Sequence, residues 1–269
     1  MTTTEDRGFH PLLSYIGDNM AFESDFYNDA YLDRRITARM RRVDADSYAE
    51  YHRLLEADHD EREALLDSLS INVTGFFRNP EAWERLRDVL AGLTDECRQV
   101  RVWSAPCADG REPYSLAMLA MDADDVAHQR VEILGTDIHP DILEVAREGR
   151  YQTSQTTDIE AELDVLSNYR RYVERRENTF EVRDGLKDLV EFERHDLIRG
   201  QPKSGLDLLL CRNLLIYIDA AYKEPIFETI RGSLREGGYL MIGMTETLPA
   251  NSRDAFEPVS RQHRIYGRS

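Results

Sequence analysis

A junction between a β-prone run and a helix start, at residues 102–115, constrains the fold of this 269-residue chain most. The run ends in small residues and Gly110, and Pro113 then suits the first turn of a helix, where its missing N–H is not needed. The pattern predicts a strand, a tight loop and a helix. Such a junction lets a ligand approach backbone amides at the helix N-terminus, but a single glycine fits a plain structural turn equally well.

Strands and helices alternate beyond this junction. The predicted strands cover residues 100–103, 131–136, 189–193, 206–210 and 239–243, and the predicted helices cover residues 115–121, 140–148 and 221–234. Glu236-Gly237-Gly238 is typical of a helix end, so it should separate the last helix from the last strand. Polar residues follow the strands. The alternation therefore predicts an α/β fold, with an open doubly wound sheet that binds ligands at the carboxyl ends of its strands.

The loop at residues 107–112 distinguishes between two ligand classes. A dinucleotide site places a pyrophosphate on G-x-G-x-x-G, whereas this loop has one glycine and puts Glu112 at the helix start. A carboxylate there repels a pyrophosphate and suits the ammonium of a methionine moiety. Asp137 follows the second strand and could accept hydrogen bonds from ribose hydroxyls, although a helix N-cap is the simpler role for it alone. The sequence favours S-adenosylmethionine over NAD, with both carboxylates outside the core.

Five sequence blocks, together and in this order, resemble the CheR family of chemotaxis receptor methyltransferases. They are Asn72-Val73-Thr74-Gly75-Phe76-Phe77-Arg78, Trp103-Ser104-Ala105 with Glu112-Pro113-Tyr114-Ser115, Gly135-Thr136-Asp137-Ile138, Cys211-Arg212-Asn213-Leu214-Leu215-Ile216-Tyr217, and Gly237-Gly238-Tyr239-Leu240-Met241-Ile242-Gly243. The resemblance covers nearly all of the chain. It departs at two positions, because the family usually has a hydroxyl and an acid where this chain has Asp109 and Arg111.

The resemblance implies a Rossmann-like enzyme that uses S-adenosylmethionine to methylate glutamate side chains of methyl-accepting chemotaxis receptors, releasing S-adenosylhomocysteine. It implies a methyltransferase domain at residues 81–269, with a small antiparallel β subdomain inserted at about residues 168–193, and a helical domain at residues 1–80. The implied cofactor contacts are Asn72, Thr74, Arg78, Glu112, Asp137, Asp196, Leu197, Arg212 and Asn213.

The chemistry of such a reaction also explains why no catalytic His or Cys arrangement is needed. A glutamate carboxylate has an ordinary pKa of about 4.3, so at neutral pH it is already the nucleophile. What remains is alignment in a site that excludes water. We expect Arg78 to orient the carboxylate and Tyr217 to position the oxygen or the methyl group. Their simpler alternatives are a surface arginine and a core tyrosine.

Two other functions stay open from the residues alone. An enzyme that methylates amines of nucleic acids usually has two prolines and an aromatic residue after an Asp or Asn, whereas Asn213 is followed by Leu-Leu-Ile-Tyr with no proline pair. With 51 acidic and 34 basic residues, a net charge of −17 also repels phosphate. Methylation of another protein stays open as an alternative. A catalytically silent adaptor that binds S-adenosylmethionine fits them as well.

Composition bounds the environment of the protein. Cys97, Cys107 and Cys211 have no disulfide or zinc-ligand spacing, so we expect neither, and a reducing cytoplasm follows. The chain has no signal-peptide pattern and no apolar run near the roughly 18 residues of a membrane span, so we expect no membrane insertion. Only three of the 34 basic residues are lysines. An acidic, lysine-poor surface suggests a halophilic, archaeal source, although any acidic intracellular protein is compatible.

The first 80 residues show helical periodicity and no strand pattern, with helix starts predicted at residues 44–47 and 58–61. The second start is rich in acids, but capping explains it better than metal binding does. A helix at residues 31–42 carries Arg34, Arg35, Arg39, Arg41 and Arg42 in an otherwise acidic chain. Spacing places Arg35, Arg39 and Arg42 on one face. This face could be simply solvated, or Arg34, Arg35, Arg39 and Arg42 could dock the acidic helices of receptors.

An insertion interrupts the α/β pattern at residues 149–196. Short β segments are predicted at residues 169–174, 179–182 and 189–193, with a polar turn at residues 175–178. In some members of the family a longer, glycine-containing loop here grips a peptide at the receptor C-terminus. The turn of this chain is shorter and has no glycine, so we do not expect it to dock such a tail.

Overall fold

A computed structural model describes residues 8–20, 22–69, 74–154 and 157–269. The chain divides into two compact units. The helical unit contains Met1–Ile71 together with Leu215–Lys223. The second unit contains the main sheet and its helices in Asn72–Leu214 and Glu224–Ser269, and we call it the sheet unit. Tyr217 therefore belongs to the helical unit, although it lies between a strand and a helix of the α/β pattern.

Four helices form most of the helical unit: α1 (Phe9–Asn19), α2 (Asp29–Met40), α3 (Tyr48–Ala57) and α4 (His59–Leu69). Polar side chains begin three of them, since Asn28, Ser47 and Asp58 accept hydrogen bonds from backbone amides of the following turn. Leu12, Ile16, Leu32, Ile36, Leu55 and Leu65 are fully buried between the helices. The helix starts predicted near residues 47 and 58 are confirmed.

The arginines of α2 do not share one solvated face. Arg39 donates from Nε to Glu61 Oε1 at 3.0 Å and also pairs with Glu61 Oε2, and Tyr51 donates to the same carboxylate at 2.6 Å. Glu61 and Tyr51 are buried. The guanidinium of Arg39 is therefore occupied by an internal ion pair, because a buried carboxylate needs a counter-charge. Arg34 is exposed and Arg35 is half-buried. Arg42 is also exposed, but it lies beyond the end of α2 at Met40, so the prediction of a helix through residue 42 is wrong at its end.

The sheet unit alternates strands and helices over most of its length. In chain order its elements are α5 (Pro80–Glu96), β1 (Val100–Ser104), α6 (Arg111–Asp122), β2 (Val131–Asp137), α7 (Pro140–Glu148), β3 (Arg150–Gln152), α8 (Ile159–Glu162), β4 (Val173–Arg176), β5 (Thr179–Val182), α9 (Asp184–Lys187), β6 (Val190–Arg194), β7 (Leu206–Cys211), α10 (Ala220–Ser233), β8 (Leu234–Ile242), β9 (Phe256–Ser260) and β10 (Ile265–Arg268). The first four residues of α10 are assigned to the helical unit.

Seven strands form the main sheet in the order β6-β2-β1-β7-β8-β10-β9. The pairs from β6 through β8 are parallel, and β10 is antiparallel to both of its neighbours. Every residue of β7 is buried, as expected for a central strand covered on both faces. Ser104 lies opposite both Gly135 and Leu210, so β1, β2 and β7 end at the same edge. The predicted Rossmann-like α/β fold with an all-helical N-terminal part is confirmed.

The strand after α10 begins earlier than predicted. β8 starts at Leu234 directly after the helix, and its pairing with β7 shifts between Leu206 and Leu208. Gly237 has a φ of +73° within this irregularity, and a side chain at Gly238 would come within 2.9 Å of the Arg235 carbonyl oxygen. The prediction that Glu236-Gly237-Gly238 separates helix and strand is wrong, because the two glycines lie within the strand, at the shift in its pairing with β7.

The small antiparallel sheet has the order β3-β5-β4. Its third strand is β3, at Arg150–Gln152, where Tyr151 pairs with Phe180. Residues 189–193 are predicted both as a strand of the open sheet and as part of the inserted subdomain. β6 pairs in parallel with β2 at an edge of the main sheet, so the first prediction is confirmed and the second is wrong. Residues 169–171 form a 3₁₀ turn rather than the start of a strand.

Candidate active site

The carboxyl ends of the parallel strands are joined by backbone hydrogen bonds. Ala105 N–H donates to the Leu210 carbonyl at 2.9 Å, Cys107 N–H to the Thr136 carbonyl at 2.8 Å, and His195 N–H to the Asp137 carbonyl at 3.0 Å. The loops after β1, β2, β6 and β7 are thus held at one edge. This edge carries most of the residues predicted to hold the cofactor.

The loop after β1 is tightly turned and depends on its glycine. Gly110 has a φ of +88°, and a Cβ there would lie 2.8 Å from the Ala146 side chain. Ala108 also has a positive φ, of 47°, and its N–H points to Asp137 Oδ2 at 3.0 Å. The glycine therefore serves both the backbone turn and the close packing of α7 against the loop.

Asp137 lies at the end of β2 and accepts two backbone hydrogen bonds. They come from Ala108 and from His139, the latter to Oδ1 at 3.1 Å. The N-cap position of α7 is His139, so Asp137 does not cap that helix. Asp137 is 7% exposed, and the expectation that it lies outside the core is wrong. A carboxylate has about four lone-pair positions, so its chemistry still suits ribose hydroxyls.

Glu112 lies in the first turn of α6 and forms a buried ion pair. Ser104 Oγ donates to its Oε1 at 2.9 Å, and Arg212 Nη1 donates to its Oε2 at 3.1 Å. The side chains of Glu112 and Arg212 are 12% and 1% exposed. Sequence reasoning treated Glu112 as a single charge at a helix start, whereas the structure gives it a counter-charge. Its remaining acceptor positions suit the ammonium of a methionine moiety.

The guanidinium of Arg212 also holds a turn about 130 residues earlier in the chain. Its Nη2 donates to the Arg78 carbonyl at 2.7 Å and to Asn79 Oδ1 at 3.2 Å, and its Cζ lies 5.6 Å from the centroid of the Trp83 ring. Arg212 Nε is buried and has no hydrogen-bond partner among the described residues. Most of the hydrogen-bonding capacity of Arg212 is therefore used within the protein.

Residues 74–79, which we call the Phe-Phe-Arg turn, have a strained backbone. Phe77 and Asn79 have φ values of 47° and 61°, and such a conformation for a bulky residue costs about 1–3 kcal/mol. Phe76 N–H donates to Glu162 Oε2 at 2.9 Å, and Phe77 N–H donates to Ser115 Oγ at 3.0 Å. Trp83 Nε1 donates to the Arg78 carbonyl at 3.0 Å. These contacts and Arg212 fix the backbone that carries Arg78. Thr74 is half-buried, and Asn72 lies outside the described residues.

The other predicted cofactor residues lie at the ends of β6 and β7. Asp196 Oδ1 accepts from Ile198 N–H at 2.8 Å and from Arg199 N–H at 3.0 Å, and Leu197 is buried. Asn213 has a φ of 60°, and its N–H donates to the buried Glu246 carboxylate at 3.0 Å. The same oxygen of Glu246 accepts from Gly243 N–H at 2.6 Å. Glu246 thus joins the ends of β7 and β8.

Tyr217 lies in the helical unit. Its carbonyl accepts from Asn28 N–H at 2.9 Å, and its ring centroid is 4.8 Å from that of Tyr31. The guanidinium carbon of Arg35 lies 5.4 Å from the Tyr31 ring centroid, and that of Arg34 lies 5.9 Å from it. Tyr217 is half-buried within this aromatic and arginine cluster.

The two departures from the family pattern pair with each other. Arg111 Nη2 lies 2.9 Å from Asp109 Oδ2, and both side chains are largely buried. The Arg111 guanidinium carbon lies 5.7 Å from the Tyr151 ring centroid, and the Tyr151 hydroxyl donates to the Asp109 carbonyl at 2.7 Å. A salt bridge therefore spans the positions where the family usually has a hydroxyl and an acid.

Sequence reasoning missed the residues that hold the site in place. Ser115, Glu162 and Glu246 each accept backbone hydrogen bonds from the site, and Trp83 lies against Arg212. Ser115 stands in one of the family blocks, but no local pattern marks Glu162 or Glu246. Within the described ranges, no group of three or more His, Cys, Asp or Glu residues could hold a metal ion. No helix there is long and apolar enough to cross a membrane.

The buried ion pair predicts a large effect of Glu112→Ala on stability. The substitution should lower the free energy of unfolding by about 3–5 kcal/mol, because it leaves the buried guanidinium of Arg212 without its carboxylate. Urea unfolding followed by tryptophan fluorescence measures this in the sheet unit, which contains both Trp83 and Trp103. The exposed control Glu228→Ala should change stability by no more than about 0.5 kcal/mol. Equal effects of the two substitutions would contradict the importance of the ion pair.

Asp137 predicts a pH dependence of stability with a definite sign. Burial raises the pKa of Asp137 above its ordinary value of 3.8. Hydrogen bonds from the backbone of His139 and Ala108 lower this pKa, but their effect is smaller. Protonated Asp137 therefore stabilises the fold below that value, and this contribution is lost as pH rises through the raised pKa. The stability of the wild type relative to Asp137→Asn should fall as pH rises from about 4. Denaturation at several pH values measures the stability of each protein, with the exposed Asp95→Asn as control. A stability of the wild type relative to Asp137→Asn that rises with pH would refute the prediction.

Family profiles and the sequences of known methyltransferases match this chain over both of its units. The family profile described as the CheR methyltransferase SAM binding domain matches residues 72–265, and that of the CheR methyltransferase all-alpha domain matches residues 7–70. A chemotaxis protein methyltransferase of Listeria monocytogenes is 33% identical over 86% of each chain. One from Salmonella typhimurium is 31% identical over 79% of this chain and 74% of its own. The chain therefore belongs to the CheR family of S-adenosylmethionine-dependent methyltransferases.

Proposed function

We propose that this enzyme transfers the methyl group of S-adenosylmethionine to glutamate side chains of methyl-accepting chemotaxis receptors, giving methyl esters. The observation that carries this proposal is the match of both family domains, together with Glu112 and Asp137 at one edge of the sheet. The carboxylates suit the ammonium and ribose hydroxyls of the cofactor. The proposed cofactor contacts are Asn72, Thr74, Arg78, Glu112, Asp137, Asp196, Leu197, Arg212 and Asn213.

The proposed catalytic groups are Arg78 and Tyr217. When bound, S-adenosylmethionine supplies an electrophilic methyl group on a sulfonium. The acceptor carboxylate is already ionised at neutral pH, so the chain has to supply orientation rather than a base. Arg78 would orient the carboxylate, and its attraction is largest before transfer neutralises that charge. Tyr217 would position the acceptor oxygen or the methyl group.

The proposed partner is the acidic cytoplasmic helix of a receptor, so the enzyme would act in the cytoplasm and reach the membrane only through its receptor. Arg34 and Arg42 are the exposed candidates for docking, with Arg35 beside them. Arg39 was a fourth candidate, but its ion pair with Glu61 gives it a role inside the helical unit. The β4–β5 turn has two residues, Glu177 and Asn178, between its strands. We therefore propose no docking of a receptor tail there.

Labelled S-adenosylmethionine incubated with receptor-containing membranes tests the reaction. We expect label to appear on receptors as a base-labile methyl ester. Arg78→Ala and Tyr217→Phe should lower the single-turnover rate by about 10²-fold, with little change in receptor binding, because loss of alignment affects the transfer step. Arg98→Ala and Tyr222→Phe are matched controls in the same units. Cofactor binding without any labelled ester would support the silent adaptor instead.

A second experiment tests the docking surface. The double reversal Arg34→Glu with Arg42→Glu should abolish receptor methylation, and the loss should persist at about 1 M salt, where long-range repulsion between acidic proteins is screened. Reversal of the exposed Arg53 in α3 is the control and should have little effect. Deletion of the receptor tail should leave methylation intact. If tail deletion stops methylation while the arginine variants remain active, the docking surface lies elsewhere.

A further inference from the structure

Among the described residues, four side chains hydrogen-bond to the Phe-Phe-Arg turn, and one of them comes from the inserted segment. Ser115 in α6, Trp83 in α5 and Arg212 after β7 belong to the methyltransferase sheet and its helices. The fourth, Glu162, is the last residue of α8, which lies within the insertion. The insertion therefore contacts the segment from which Thr74 and Arg78 extend.

The Glu162 carboxylate lies close to the backbone of the turn. Its Oε2 accepts from Phe76 N–H at 2.9 Å and lies 3.8 Å from Arg111 Nη1. The side chain is 26% exposed, so this charge-assisted hydrogen bond is partly shielded from water. Arg111 in turn is paired with Asp109 in the loop after β1. Glu162 thus lies between the two loops that are proposed to hold the cofactor.

Gly75 explains how the carboxylate reaches this position. A Cβ on Gly75 would lie 2.9 Å from Glu162 Oε1 and 3.2 Å from Glu162 Cδ. The Glu162 side chain could move away from such a methyl group, but it would then leave the Phe76 N–H. The backbone of Gly75 does not have a positive φ, so what opposes alanine there is the carboxylate in its present position rather than backbone strain.

We propose that Glu162 is a positioning residue for methyl transfer, which holds the Phe76 N–H and thereby fixes the turn that presents Thr74 and Arg78. This inference rests on the proposed roles of Thr74 and Arg78. It assigns the insertion a part in the cofactor site in addition to any contact with partners. It also gives a physical reason for glycine at position 75.

Affinity for S-adenosylhomocysteine, measured by calorimetry, tests the proposal without any receptor. Glu162→Ala should weaken binding about tenfold, because it removes a charge-assisted hydrogen bond from the turn. Glu162→Gln retains an acceptor oxygen for Phe76 N–H and should restore affinity to within about threefold of the wild type. The control Glu160→Gln, on the same helix, should leave affinity unchanged. Affinity of Glu162→Ala within twofold of the wild type would overturn the proposal.

A double-mutant cycle with Gly75 separates positioning from a general loss of structure. Gly75→Ala should weaken S-adenosylhomocysteine binding as much as Glu162→Ala does, and the double variant should be no worse than Glu162→Ala alone, because the clash has then lost its partner. Losses that multiply in the double variant would show that the two residues act separately and would refute the proposal. Since the cycle needs no acceptor, failure to methylate receptors would refute the proposed function and leave this result standing.

Discussion

The ion pair between Glu112 and Arg212 is the interaction on which the rest of the site depends. It joins the first turn of α6 to the end of β7, and the same guanidinium reaches the carbonyl of Arg78. Burying two charges is unfavourable unless further hydrogen bonds satisfy them, and here Ser104 and Asn79 supply such bonds. The arrangement stabilises a turn whose backbone is strained at Phe77 and Asn79. Removal of either charge would therefore disturb three separate parts of the chain.

Sequence reasoning located the ends of the strands but not the partners of the residues that lie there. Asp137 and Asn213 follow β-prone runs, and Glu112 follows a glycine turn, so local pattern was sufficient to find them. Their partners are distant in the chain, since Arg212 is 100 residues from Glu112, and Glu162 is 86 residues from Phe76. No spacing rule connects such pairs. The same limit applies to Arg39, because helical periodicity fixes its face but not the opposing Glu61.

The small sheet shows a different limit of sequence reasoning. β3 has three residues, of which only Tyr151 is buried, so it carries too little alternation to be recognised as a strand. Residues 189–193 fit both the α/β alternation and the insertion in sequence, and only the pairing of β6 with β2 through five register positions decides between them. The pairing of a strand depends on its neighbours in space. Because the insertion separates β2 from β6 in the chain, the sequence does not show that these two strands are neighbours in the sheet.

Asp109 and Arg111 show how a departure from a family pattern can be accommodated. The usual acid is replaced by arginine, but the carboxylate reappears two residues earlier and pairs with that arginine. The exchange therefore adds no uncompensated charge beside Asp137 or Glu112. It also turns a guanidinium toward Glu162 and the Tyr151 ring, so the loop gains contacts with the insertion and with the small sheet. Glu162 in turn accepts a hydrogen bond from Phe76 N–H, so Arg111 and the Phe-Phe-Arg turn belong to one polar network. A substitution at position 111 would therefore change the position of Arg78 through the backbone of this turn.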